Sequence, residues 1–87
     1  MKMVILIVKD HDADAVTQTL TTAEYRVTRV ASTGGFLRSG VVTLLLGVDD
    51  DRVDPVIELI RGKLGGSTSG EKRATLFVVP VERYEQV

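Results

Sequence analysis

The segment Ser32-Thr33-Gly34-Gly35-Phe36-Leu37-Arg38-Ser39-Gly40 concentrates groups suited to holding an anion. Its paired glycines permit positive φ and a close backbone approach, so successive N–H groups can form a concavity for negative charge. Ser32 and Thr33 add hydroxyls, and Arg38 adds a planar guanidinium fork. Phe36 and Leu37 are apolar residues in a loop and need something flat or greasy to pack against. A plainer reading fits the same residues: a hairpin connection, with glycine at the turn and two side chains tucked beneath it. Both readings stand at this level.

Other chemistry-bearing residues support simpler roles. Asp49-Asp50-Asp51 lacks the alternating ligands and closing Glu of a calcium loop, and is read as capping a helix. His11 has no second His and no Cys beside it, so a zinc site is not expected and the side chain is read as solvated. One His without a G-x-S-x-G elbow makes no nucleophilic triad. Gly34-Gly35 and Gly65-Gly66 are not followed by Gly-Lys-Ser/Thr, which excludes a P-loop. Lys72 and Arg73 end a second loop and are read as a solvated loop end, with phosphate contact as the sharper alternative. The expectation is a binding protein and not an enzyme, with no metal and no cofactor.

The whole chain bounds these readings. Its 87 residues make one domain, 1–87, whose small size limits the core it can bury. Eleven basic and twelve acidic residues leave a net charge of −1 without a run of like charge, which argues against nucleic acid and anionic membranes as partners. There is no cysteine for a disulfide. The apolar stretch near Met1 is too short for a signal sequence or a spanning helix, so the expected location is cytoplasmic.

Periodicity then supplies the frame. Met3 to Val8 and Val41 to Val48 are apolar, β-branched runs read as buried strands. Asp10 or Asp12 is expected to cap a helix with the stripe Ala13, Val16, Leu20 and Ala23, running to about Glu24. Tyr25 to Ala31 alternates as a half-exposed strand does. A second helix carries Val53, Val56, Ile57, Ile60 and Leu64, with Pro55 in its first turn. Gly65 to Gly70 is a loop, and Ala74 to Val81 is the last strand, with Pro80 suited to an edge or an end. The segments ILIVKDHDADAV and LLLGVDDDRVDPV superpose at an offset of 40 residues, which makes two interleaved βαβ halves. The predicted fold class is α+β: a ferredoxin-like βαββαβ chain, with a four-stranded antiparallel sheet, two helices on one face, and the first and third strands at the centre.

Two helices cover only one face of such a sheet, yet both faces are apolar. Met3, Ile5 and Ile7 oppose Val4, Leu6 and Val8; Val41, Thr43 and Leu45 oppose Val42, Leu44 and Leu46; Phe77 and Val79 oppose Leu76 and Val78. Burying each aliphatic side chain is worth about 1.5–3 kcal/mol, so a wet second face predicts self-association.

The segments MKMVILIVKD, TRVASTGGFLRSG, GVDDDRVDPVIELI and ATLFVVPVERYEQV together resemble the PII-like cyclic-di-AMP receptor family over nearly the whole chain. STGGFLR with the FVVPVE ending is the most specific part of that likeness. The resemblance implies a homotrimer, clefts between subunits that bind a small-molecule nucleotide, and no catalysis. It implies that Arg26, Thr28, Phe36, Leu37, Gly47, Phe77 and Gln86 line the cleft. In that reading Arg26 meets phosphate, Thr28 supplies a hydroxyl, Phe36 and Leu37 wall an adenine, Gly47 lets the ligand reach the backbone, and Phe77 lines the floor. The chain departs from the family at Glu24, where Asn is usual, and at Val41-Val42, where Asn-Thr is usual. Its second loop, Gly65 to Lys72, is also short. An ionised Glu only accepts hydrogen bonds, whereas Asn both donates and accepts. Cyclic-di-AMP is the leading ligand; AMP, ADP or ATP, or a ligand-free interaction module, are the alternatives. A downstream protein target, read through loop rearrangement, is implied without being identified.

Overall fold

Side-chain alternation sorts each strand into two faces, and the computed structural model, which describes residues 1–30, 40–65 and 73–87, shows where each face goes. The elements are β1 (Lys2–Lys9), α1 (Asp10–Thr22), β2 (Thr28–Val30), β3 (Val41–Val48), a 3-10 turn (Asp50–Arg52), α2 (Val53–Leu64) and β4 (Ala74–Pro80). The strands form one antiparallel sheet in the order β2-β3-β1-β4. The most apolar strands, β1 and β3, are therefore central, and the fold is ferredoxin-like α+β. Pro80 ends the edge strand β4, where its missing N–H costs no ladder bond.

One face is closed. Val4, Leu6 and Val8 of β1 and Val42, Leu44, Leu46 and Val48 of β3 form a single cluster with Ala13, Val16 and Leu20 of α1 and Val56, Ile60 and Leu64 of α2. Leu59, outside the expected stripe, also packs against this core. Ala23 does not: it is the exposed C-cap of α1. On the other face Met3, Ile5, Ile7, Thr43, Leu45 and Val79 are only half-buried, and Phe77 is 52% exposed.

Neither Asp10 nor Asp12 caps α1, contrary to the expectation from sequence. Lys9 holds the N-cap position, where its side chain does not cap the helix, and the Asp10 N–H donates to the Gly40 carbonyl at 2.7 Å. Asp12 is instead buried. Its Oδ1 accepts from Arg73 Nη2 at 2.7 Å, while Arg73 Nη1 donates to the Leu64 carbonyl at the end of α2. Arg73 is thus a partly exposed loop end that is tied down; a buried carboxylate needs a charged donor, and Arg73 is that donor. His11 is exposed, with Nε2 3.7 Å from Asp12 Oδ2, an oxygen with no hydrogen-bond partner among the described residues.

The triple-Asp segment also departs from simple capping. Asp49 precedes the 3-10 turn without a side-chain bond, and its carbonyl accepts from the Arg52 N–H at 2.9 Å. Asp50 Oδ1 lies 3.0 Å from the Met1 α-amino nitrogen. Accepting from that amine, with Lys2 adding positive charge, holds the Asp50 carboxyl below the usual carboxylate range.

The second strand is shorter than expected because the end of α1 claims its first residues. The Glu24 N–H bonds to the Thr21 carbonyl at 2.9 Å and the Tyr25 N–H to the Leu20 carbonyl at 3.0 Å, the pairing of a Schellman C-cap. Tyr25 and Val27 still pack on the core while Arg26 and Thr28 are exposed, so the alternation holds where no ladder forms. Ala31, the end of the expected strand, lies outside the described residues, as do Ser32 to Ser39 and Gly66 to Lys72.

Candidate functional site

The C-cap that ends α1 also shapes a groove. Such a cap needs a left-handed residue, a place usually taken by Gly or Asn, and here Glu24 adopts φ 70°. This turn directs Arg26 and Thr28 to the rim of the sheet beside β3. There, Gly47 faces outward opposite Met3. After Pro80 the chain continues along the same end of the sheet without regular structure, tied by the Val81 N–H to the Met1 carbonyl at 3.1 Å.

Together these pieces line an open groove of about 1060 Å³. Arg26, Thr28, Gly47 and Gln86 are all on its wall, so four of the seven residues expected at the site come together. Glu24 and Tyr25 stand beside them, and Leu45 and Met3 supply an apolar base from the open sheet face. A smaller lobe of about 310 Å³ shares Met1, Glu24, Tyr25 and Gly47 with the groove and adds Asp49 and Arg52. The larger space matches the upper end of small-molecule sites, about 300–1,000 Å³.

Phe77 does not join this groove. Thr28 pairs with Leu45, Leu45 with Ile5, and Ile5 with Phe77, so all four share one rung of the open face. Three strand spacings of about 4.8 Å put Phe77 roughly 14 Å from Thr28, on the opposite edge strand, of which only the end at Pro80 lines the groove. Phe36 and Leu37 lie outside the described residues. Val41 and Val42 sit at the far end of β3, six and five residues from Gly47, or about 17–20 Å. Val42 is buried in the core opposite Val8, an environment that suits Val better than a hydroxyl-bearing residue.

Sequence reasoning missed the tail wall formed by Val81, Glu82, Arg83 and Tyr84, and it missed Met1. Arg83 donates from Nη2 to Glu85 at 2.6 Å and stays exposed, giving the groove a second guanidinium besides Arg26. The only local signal was alternating charge after a strand-ending proline, which is common on solvated tails. Among the described residues no three His, Cys, Asp or Glu side chains gather as a metal site. No described helix is long and apolar enough to cross a membrane.

The groove can therefore offer charge-assisted donors to an anion, a hydroxyl, a glycine backbone without a side chain of its own, and aromatic rings at its edge. Comparison with known proteins agrees with that chemistry. Residues 1–69 match a protein-family model described as cyclic-di-AMP receptor. The chain is also similar to the crystal structure of a functionally unknown protein from Pediococcus pentosaceus ATCC 25745. The identity is 33%, the TM-score is 0.78, and the match covers 99% of this chain and 96% of that one.

Proposed function

Since this chain belongs to the cyclic-di-AMP receptor family, we propose that it is a PII-like signalling protein whose groove binds cyclic-di-AMP in clefts between the subunits of a homotrimer. Binding orders the loops and alters a surface that a downstream protein reads. In this reading the protein acts as a sensor and not as an enzyme, with binding energy going into loop rearrangement.

One observation carries this reading. Arg26, Thr28, Gly47 and Gln86 line a groove across one end of the sheet, and Phe77 lies on the open face outside that lining. Phe77 stands outside the groove of its own copy, and a second copy packed on the open face can set its Phe77 edge beside that groove. The half-buried Met3, Ile5, Leu45 and Val79 on the open face favour the same packing, because each gains apolar burial on contact. In the assembled cleft Arg26 holds phosphate, Thr28 hydrogen-bonds beside it, and Gly47 admits the ligand to the β3 backbone.

Glu24 supports a second reading, in which the ligand is AMP, ADP or ATP. Its carboxylate lines the groove and only accepts hydrogen bonds, so it can take the amino group of a single adenine but cannot supply the donor that Asn provides in the family.

Isothermal calorimetry with cyclic-di-AMP and with AMP and ATP, run on wild type and Glu24→Asn, tests the proposal. We expect saturable heat with cyclic-di-AMP and about tenfold tighter binding by the variant, as one regained hydrogen bond implies. Asn also suits the left-handed backbone at this position, so the variant should melt at a slightly higher temperature. Heat with AMP or ATP and none with cyclic-di-AMP selects the second reading. No heat with any of them overturns both.

A further inference from the structure

Gly47 is valuable to a ligand only if its open face is free, and in the structure it is not. A Cβ built on Gly47 would lie 2.8 Å from Met1 Cε, so the Met1 methyl occupies the space a side chain would fill. Met1 lines both the large groove and the smaller lobe, standing between them. Its backbone is held on two sides: the carbonyl accepts from the Val81 N–H at 3.1 Å, and the amino nitrogen lies 3.0 Å from Asp50 Oδ1. The side chain is unbranched, has three rotatable bonds, and belongs to a residue 47% exposed, so it can swing without disturbing that anchorage.

We propose that the Met1 side chain is a built-in plug, seated on Gly47 in the free protein and displaced when a nucleotide enters. The proposal rests on the nucleotide reading of the groove and adds to it a residue that sets the occupancy of the site. The plugged form cannot offer the β3 backbone at Gly47, so measured affinity falls by the fraction of molecules in which the seat is open. Withdrawal of the methyl also joins the two lobes and brings Arg52, which lines the smaller lobe alone, within the ligand's compartment. Met1 thereby tunes how much ligand is needed for a response, without touching phosphate or base itself.

The test uses the full chain released from a cleavable amino-terminal fusion, once as wild type and once as Met1→Ala. Calorimetry with cyclic-di-AMP and ATP should show the variant binding about five- to tenfold more tightly, the gain expected if the seat is open in roughly a tenth to a fifth of wild-type molecules. In parallel, methyl-labelled methionine NMR of the wild type should show a Met1-methyl to Gly47 proton contact that vanishes at saturation. Equal affinity with an undisturbed Met1 contact overturns the plug and leaves the nucleotide reading standing. Binding by the variant alone supports both. Binding by neither form ends the nucleotide reading and the plug with it.

Discussion

Leu44 and Leu45 are neighbours on β3 with the same side chain, yet Leu44 is fully buried while Leu45 is half-exposed. The same split runs across the sheet. Leu6 joins Leu44 and Leu76 beneath the helices, whereas Ile5 joins Leu45 and Phe77 on the open side. Apolar composition is nearly the same on the two faces. What differs is the cover: α1 and α2 supply it on one side, and nothing within the described residues supplies it on the other. Hydrophobicity along a strand therefore measures how much cover a sheet needs, while the number of helices measures how much the chain brings with it. The shortfall is a requirement for contact with something outside the chain.

The largest effect is expected on the closed face. Leu44→Ala removes a fully buried side chain at the meeting of β3, β1 and the helices, and should cost about 3–5 kcal/mol in chemical denaturation. A smaller loss is expected where the helix layer is tied down. Asp12→Ala removes the acceptor for Arg73, which also holds the Leu64 carbonyl and so connects the starts of α1 and β4 with the end of α2. Arg73 is partly exposed and can turn to water, so we expect about 1–2 kcal/mol, less than for breaking a fully buried pair. Equal melting of wild type and Asp12→Ala would show that packing alone holds the helices in place.

The strands, both helices and the sheet order were legible in the sequence because they follow from periodicity. Runs such as VILIV and TLLLGV with Gly and Asp punctuation leave few alternatives. The site was legible only in part, and through resemblance more than pattern. Arg26 and Gln86 look like ordinary solvated residues until the fold sets them around Gly47. The Asp12–Arg73 pair spans 61 positions, so no local rule links its members; capping was the natural expectation for Asp12 because burial of a carboxylate is rare without a partner. Glu24 illustrates the opposite case. Its left-handed backbone follows from the Schellman bonds around it, yet Glu is a poor indicator of such a cap because Gly and Asn usually hold the position.

The smallest effect on the isolated fold, and the sharpest on the comparison of faces, is expected from Ile5→Asp. Ile5 lies on the central strand with Leu45 and Phe77 on either side, at the middle of the open face and outside the groove lining. In a lone copy the new carboxylate can reach water, so the variant chain should unfold within about 1 kcal/mol of wild type at high dilution, as surface substitutions do. Where that face is packed against a second copy, the same carboxylate is forced out of water without a partner, at a cost of several kcal/mol. Sedimentation of both proteins across low micromolar concentrations separates the two situations. We expect wild type to run as a larger species and Ile5→Asp as a single copy with an unchanged far-ultraviolet spectrum. Loss of assembly should remove nucleotide binding as well, because the Phe77 edge then no longer reaches the groove. A wild type that runs as a single copy would mean that the open face is tolerated wet, and that the groove must do its binding alone.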